Sequence, residues 1–254
     1  MQTPDTIDRV APTLTPDEPV VMYQNWHHLL FLHWEVPPDE VQALLPPGLD
    51  LDTFEGHAYV GLVPFTVTGM RPVMTPAVPG ISSFHEVNVR TYVHRNGRDP
   101  GVWFFSLDAS SSVAVAAARA AYKLAYFHSK IDFSASNGPR PLISFRSERT
   151  DPNGMKPATS EVVYQPADMP PSAAVPGTLD HFFIERYILY SVDSEHDLHL
   201  ARIHHQPYPV QRAIVTRLDE TLVWAAGIRR PERPHLSHYA REVNVNVYPL
   251  HKLT

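Results

Sequence analysis

Polar side chains of mixed charge alternate with valines in the strand predicted over residues 84–94. Because side chains along a strand point alternately to opposite faces, Glu86, Asn88 and Arg90 share one face and the valines share the other. A carboxyl group, an amide and a guanidinium side by side could bind and polarise a small polar ligand. The pattern leaves two interpretations open: the polar face lines a pocket, or it is the solvent face of an ordinary sheet.

The next predicted strand, over residues 102–108, carries a second polar face. Ser106 and Asp108 fall on that face by the same alternation, and Leu107 lies opposite with the aromatic residues. The apolar side is bulky enough to pack against a helix, which favours the pocket interpretation for the polar side. We therefore expect Asp108 to join the polar groups of the preceding strand.

An alanine-rich helix is predicted over residues 110–124, with a serine as its N-cap. Arg119 and Lys123 are four residues apart and lie on one face of it. Two cations at this spacing repel each other unless an anion lies between them, and Glu86 or the carboxylate of a ligand could be that anion. Alternatively, Lys123 only complements the helix dipole near the C-terminus.

The elements that must position these residues are mostly short strands. Alternating or β-branched runs bounded by turn residues predict strands along most of the chain. A short helix over residues 39–45 fits between two proline pairs. The remaining strands are predicted over residues 29–36, 57–67, 141–147, 159–165, 184–191, 198–205, 210–218 and 242–248. Many antiparallel strands with one main helix predict an α+β domain built on a curled or closed sheet.

Composition excludes several kinds of protein. The 254 residues carry 21 Lys+Arg against 27 Asp+Glu, a formal charge of −6, so nothing points to nucleic acid or a membrane as a partner. The absence of cysteine excludes disulfides, thiolate metal sites and a Cys nucleophile. The 26 prolines argue against an all-helical bundle, and 43% hydrophobic residues can form a substantial core.

The chain is predicted to consist of a flexible, proline-rich leader over residues 1–19 and a single domain over residues 20–254. Two domains divided near Pro170 are the alternative. The N-terminus lacks the basic start and apolar block of a secretory signal, and no apolar run is long enough to span a bilayer. A cytoplasmic protein is therefore expected.

Histidine is frequent, with 15 residues, but its spacing does not predict a metal site. On a strand, His199 and His205 would share a face yet lie about 20 Å apart, too far to bind one ion. His33 is the better pocket candidate among the histidines near the start of the domain. The sequence contains no phosphate-binding glycine loop, nucleophile elbow or His-Glu-x-x-His motif, so no cofactor is expected.

Several segments carry a family signal. The strongest are F-H-E-V-N-V-R-T-Y-V (84–93), G-V-W-F-F-S-L-D-A (101–109) and R-A-A-Y-K-L-A-Y-F (119–127), joined by L-L-F-L-H-W (29–34), L-L-P-P-G-L (44–49) and E-R-Y-I-L-Y (185–190). In this combination the chain resembles the YqjF-like family of bacterial proteins, which is grouped with the acetoacetate decarboxylase superfamily. The resemblance implies an antiparallel, cone-like closed sheet around a ligand cavity, and so favours the pocket interpretation.

In acetoacetate decarboxylase a lysine attacks the substrate ketone to form a Schiff base, and a second, adjacent lysine lowers the pKa of the first. The similar stretch here reads Tyr122-Lys123-Leu124. The resemblance thus implies that Lys123 matches the helper lysine and that Tyr122, a phenol that cannot form an imine, replaces the nucleophile. With the register shifted by one, Lys123 itself would be the nucleophile. Glu86 matches the region of the enzyme's pocket glutamate.

These observations predict a pocket for a small keto or carboxylic acid. The catalytic candidates are Lys123 and Glu86, and the ligand-binding candidates are Asn88, Arg90, Asp108, Arg119, Tyr122 and His33. Three hypotheses follow. The protein is a lyase-like enzyme of the decarboxylase, aldolase or dehydratase type, or a non-catalytic binding module that kept the cavity. Otherwise it is a structural, oligomer-forming protein whose cavity is filled by aromatic side chains.

Overall fold

The computed structural model describes residues 7–151 and 156–253. Within these residues, twelve strands pair into one mixed sheet, accompanied by four short α-helices. The strands are β1 (Met22–Val36), β2 (Asp50–Leu51), β3 (Ala58–Pro72), β4 (Phe84–Arg95), β5 (Arg98–Ala109), β6 (Tyr126–Ala135), β7 (Ile143–Arg149), β8 (Thr159–Pro166), β9 (Ile188–Val192), β10 (Leu198–His204), β11 (Val210–Glu220) and β12 (Leu236–Lys252). The helices are α1 (Pro38–Gln42), α2 (Ser112–Tyr122), α3 (Leu179–Ile184) and α4 (Leu222–Ala225).

The sheet closes on itself. Its strand order is β10-β9-β5-β6-β7-β8-β11-β12-β1-β3-β4-β2, and further pairings join β4 to β5 and β10 to β12. The β4–β5 pairing closes a circuit that runs from β5 through β6, β7, β8, β11, β12, β1 and β3 to β4, and the β10–β12 pairing forms a second, smaller circuit. The predicted α+β class with a closed sheet is confirmed. Two pairings, β5 with β6 and β5 with β9, are parallel, whereas the prediction was antiparallel throughout.

Strand β4 lies in the middle of the molecule and is buried on both faces. Val87 and Val89 pack into a hydrophobic cluster with Trp34 and Phe145 on one side. The opposite face carries the polar residues, and these are buried as well. The interpretation of this face as an ordinary solvent face is therefore wrong.

Helix α2 lies between β5 and β6, close to its predicted place over residues 110–124. Ser111 is its N-cap and accepts a hydrogen bond of 3.2 Å from the backbone N–H of Ala114. The helix ends at Lys123, which adopts the left-handed conformation with φ of 55°. Strand β6, which follows directly, was not predicted from the sequence.

Part of the predicted flexible leader contacts the domain: of residues 7–19, Ile7 and Pro12 are buried, whereas Val10 and Leu14 are exposed. Ile7 is buried, and the Arg9 guanidinium forms an ion pair with the fully buried Asp52. These contacts hold the segment around Ile7 and Arg9 against the domain. Residues 1–6 lie outside the described part of the chain. Among the described residues, no helix is long and apolar enough to cross a membrane.

Candidate functional site

A cavity of about 340 Å³ lies between the polar face of β4 and helix α2. Glu86, Asn88 and Arg90 line it from β4, as the alternation of the strand predicted. Most of the remaining wall is apolar. Its apolar members include Trp26, Leu29, Phe31, Val63, Phe65, Met70, Phe84, Phe104, Leu107, Ile188, Leu189, Ile203 and Val247. The structure therefore shows an open, mostly hydrocarbon-lined space with a polar strip along one wall, and the protein's own aromatic side chains do not fill it.

Glu86 is the acidic group of the polar strip. The Tyr126 hydroxyl donates a hydrogen bond of 2.8 Å to its Oε2, and the Asn88 side chain is a further hydrogen-bond partner. Burial raises the pKa of Glu86 to about 8, and the negative charge of nearby Asp108 adds to the rise. At neutral pH this side chain is thus mainly a neutral carboxylic acid, which can donate a proton as well as accept one.

Arg90 is a buried cation without a counter-ion in the described part of the chain. One of its terminal nitrogens donates to the carbonyl oxygen of Phe183 at 2.9 Å, and its guanidinium carbon lies 5.5 Å from the Phe31 ring centroid. Among the described residues, no carboxylate lies within 4 Å of it, and its Nε has no hydrogen-bond partner. An unpaired buried charge is costly, so this arrangement favours an anion from outside the chain.

Arg186 brings a second guanidinium to the same cavity. It donates to Asp52 at 2.8 Å and to the carbonyl oxygen of Phe182 at 2.7 Å, while its Nη2 has no partner. Both arginines lie against the Tyr92 ring, with guanidinium carbons 4.9 Å (Arg186) and 5.7 Å (Arg90) from its centroid. Arg186 was not among the predicted site residues, although it lies in the E-R-Y-I-L-Y segment that carries part of the family resemblance.

Three residues that line the cavity each have one buried polar atom without a hydrogen-bond partner among the described residues. These atoms are Arg90 Nε, Arg186 Nη2 and Asn88 Oδ1. Buried polar groups in proteins normally have partners. The hydrogen bonding of three residues that line the cavity is therefore incomplete among the described residues.

His33 is fully buried but does not line the cavity, which corrects the prediction. Its Nε2 lies 2.6 Å from the Tyr92 hydroxyl, and its ring stacks on Phe183 with centroids 3.9 Å apart. Burial lowers the pKa of His33 well below its usual value, with the positive charge of Arg90 adding to the effect. Gly61 lies between them, and a Cβ there would come within 3.4 Å of both side chains. His33 therefore lies behind the cavity wall, where it contacts Tyr92 and Phe183.

Asp108 also lies outside the cavity, contrary to the prediction. It is opposite Val87 in the β4–β5 register, and cross-strand partners share a face, so its side chain belongs to the valine face of β4. Leu107, opposite Asn88, lines the cavity instead. The alternation of β4 was predicted correctly, but the register of β5 against it, including the bulge between Val89 and Arg90, could not be predicted from the sequence.

The two basic residues of α2 do not reach the cavity. Arg119 donates to Asp151 at 2.7 Å and to the carbonyl oxygen of Tyr126 at 2.8 Å. Lys123 is exposed, and its Nζ donates to the carbonyl oxygen of Ala120 at 2.8 Å, which is the helix C-terminal role left open above. Tyr122 is the one predicted residue of this segment that lines the cavity, and its hydroxyl donates to the carbonyl oxygen of Tyr248 at 3.3 Å.

The helix presents alanines to the cavity in place of its cations. Ala114, Ala117, Ala118 and Ala121 follow one another at helical spacing and all line the space. The four lysines of the chain, Lys123, Lys130, Lys156 and Lys252, are all exposed. None of them lines the cavity, so the predicted pairing of Lys123 with Glu86 is wrong.

Metal binding has no support in the part of the chain that is described. No group of three or more His, Asp or Glu side chains there is arranged to hold an ion.

Solved structures define the class of fold. The chain superposes on acetoacetate decarboxylase from Legionella pneumophila with a TM-score of 0.61 at 12% identity, over 96% of this chain and 92% of that one. The enduracididine biosynthesis enzyme MppR complexed with pyruvate gives 0.61 at 16% identity, over 95% and 92%. An acetoacetate decarboxylase-like enzyme from Sphingomonas wittichii RW1 gives 0.62 at 14% identity, over 95% and 98%. The protein has an acetoacetate decarboxylase-like fold.

Sequence comparison defines the family within that class. The DUF2071 family, described as an uncharacterized conserved protein, matches residues 23–244. The uncharacterized protein YqjF of Bacillus subtilis (strain 168) is 38% identical over 237 residues, which is 93% of this chain and 94% of the relative. The chain belongs to the DUF2071 family, as the YqjF-like resemblance predicted.

Proposed function

We propose that the protein binds a small keto or carboxylic acid in the cavity beside β4, with the carboxylate of the ligand at Arg90. The observation that carries the proposal is a buried guanidinium that faces an empty space and has no acidic partner among the described residues. A carboxylate is planar and bidentate, and it matches the fork of guanidinium N–H donors. In this proposal the carboxylate of the ligand supplies the negative charge that pairs with Arg90.

The electrostatics of the wall support an anionic ligand. Arg90 and Arg186 bring two positive charges, and the carboxylate of Asp52 is shared between Arg186 and Arg9. Glu86 contributes little negative charge at neutral pH because burial raises its pKa to about 8. The cavity therefore carries a net positive charge inside a low-dielectric wall, where charges interact strongly.

Glu86 is the proposed proton-transfer group. As a neutral acid it donates a hydrogen bond to a carbonyl oxygen of the ligand, and its conjugate base accepts a proton from the carbon next to that carbonyl. Tyr126 holds the carboxyl group in place through the 2.8 Å hydrogen bond. Imine chemistry is not part of the proposal, since no lysine lines the cavity. The fold neighbour MppR, solved in complex with pyruvate, supports a keto acid as the ligand class.

Binding without turnover is the second candidate function. It is favoured by the missing lysine, because the decarboxylase chemistry implied by the resemblance needs an amine nucleophile. In that case the polar strip holds the acid and Glu86 only hydrogen-bonds to it.

Two measurements test the proposal and separate its two forms. Isothermal titration of 2-oxobutanoate and 2-oxohexanoate, each against its neutral amide, should show binding of the acids and much weaker binding of the amides. Equal binding of acids and amides would contradict the carboxylate site. Exchange of the hydrogens at the carbon next to the ketone, followed by NMR in D₂O, should be faster with the protein than with the Glu86→Gln variant. Binding with no such exchange would support the non-catalytic form.

A further inference from the structure

The shape and lining of the cavity carry an inference about the ligand beyond its acid group, which rests on the proposed function. The charged and ionisable groups Glu86, Arg90 and Arg186 lie on β4 and beside it, and the other polar lining residues are Asn88, Gln24 and three tyrosines (Tyr122, Tyr126 and Tyr208). Around the rest of the space the side chains are overwhelmingly hydrocarbon. Any part of a ligand that extends beyond the strip thus meets apolar surface.

The cavity is also too large for a very small acid. Its volume of about 340 Å³ lies within the range of roughly 300–1,000 Å³ that is typical of small-molecule sites, whose ligands are generally larger than pyruvate. The space left around pyruvate would be apolar, offering water few hydrogen-bond partners and leaving the wall without packing contacts.

Helix α2 leaves a passage from this space to the surface. Of the residues that line the cavity, those exposed to solvent are Pro72, Ala117 and Ala121. Two of the three belong to the alanine face of α2, whose inner members are Ala114 and Ala118. A methyl group at each of these positions leaves open the volume that a larger side chain would take.

We propose that the ligand is an amphipathic acid, with its carboxylate at Arg90 and a hydrocarbon or aromatic tail along the alanine face of α2. The alanines then determine specificity, since their small size sets how long a tail the cavity accepts. Very short keto acids fill only the polar end and bind weakly.

A chain-length series tests this inference on the unmodified protein. Straight-chain carboxylates from butanoate to decanoate are titrated by calorimetry, each against the alcohol of the same length. Affinity of the acids should rise roughly three- to fourfold for each added methylene until the cavity is full, as expected for buried CH₂ groups. An affinity that does not change with length, or is highest for the shortest acid, would overturn the inference and leave the carboxylate site intact. Failure of every acid to bind would instead contradict the proposed function.

A pair of matched variants tests the role of the alanines. Ala118→Leu should move the best-bound acid two or three carbons shorter, because the leucine side chain takes the place of the tail. Ala116→Leu is the control, since Ala116 is exposed on α2 and does not line the cavity. An unchanged length preference in Ala118→Leu would contradict the assignment. Ala117→Leu, at the exposed mouth, gives a second measurement if the substitution at the half-buried Ala118 prevents folding.

Discussion

Arg149 binds both carboxylate oxygens of Asp108, with donor–acceptor distances of 2.7 Å and 2.6 Å. Both side chains are about 1% exposed, and the Ser129 hydroxyl donates a third hydrogen bond to the same carboxylate at 2.7 Å. The pair ties β5 to β7 through their side chains, although the two strands are not neighbours in the sheet. Asp108 is therefore a structural residue beneath the cavity wall, and its charge is already satisfied.

Breaking this ion pair should destabilise the fold. Arg149→Met leaves Asp108 buried and unpaired, and we expect the free energy of unfolding to fall by about 3–5 kcal/mol. Urea denaturation followed by circular dichroism measures the change. Arg146→Met, an exposed substitution on the same strand, is the control and should cost little. Adding Asp108→Asn to the Arg149 variant should restore part of the loss, and no recovery would show that the lost charge pairing is not the cause.

Removing the unpaired cation should remove acid binding. In Arg90→Met the carboxylate loses its charged hydrogen-bond partner, so the affinity for the best-bound acid should fall at least about tenfold. Calorimetric titration measures the effect, with Arg146→Met again as the control. Since Arg90 has no acidic partner among the described residues, the variant should be at least as stable as the parent protein. Unchanged affinity would place the carboxylate elsewhere in the cavity.

The raised pKa of Glu86 should appear in the pH dependence of stability. Between its ordinary value of 4.5 and about 8, the unfolded chain releases the Glu86 proton while the folded protein keeps it. Raising the pH through this range therefore favours unfolding, by up to about 1.4 kcal/mol per pH unit. Glu86→Gln lacks this titration, so its stability relative to the parent should increase from pH 5 to pH 8 and then level off. Urea denaturation at several pH values measures the difference, and a constant difference would show that the Glu86 pKa is ordinary.

Lysine should play no part in ligand chemistry. Borohydride treatment in the presence of 2-oxo acids should give no adduct at Lys123, because its Nζ is bound to the Ala120 carbonyl on the surface. Peptide mass mapping detects any adduct. Lys123→Ala should bind acids with unchanged affinity, in contrast to Arg90→Met. A ligand-dependent adduct at Lys123 would mean that helix α2 rearranges on binding.

The polar strip of β4 could be predicted because alternation within a strand is a property of the local chain. Glu86, Asn88 and Arg90 share a face for that reason, and the resemblance favoured an interior position for it. The partners of the strip could not be predicted in the same way. The place of Asp108 depends on the β4–β5 register, and Arg186 reaches the cavity from a segment almost a hundred residues away.

The orientation of α2 is a further limit of sequence reasoning. Its existence followed from the alanine content and the serine cap, and its ends were predicted to within two residues. Which face meets the cavity did not follow, because alanine is small enough to suit either the interior or the surface. Two cations on one face suggested a binding site, whereas the structure shows Arg119 paired with Asp151.

The ion pair between Arg9 and Asp52 connects the segment before β1 to the cavity, because the same carboxylate also binds Arg186. Two guanidinium groups share one acid there, so the trio keeps a surplus of positive charge. In a protein that begins at residue 20, Asp52 would pair with Arg186 alone, and the charges of these two side chains would cancel. Arg9, in the stretch predicted to be a flexible leader, thus contributes to the charge balance beside the cavity.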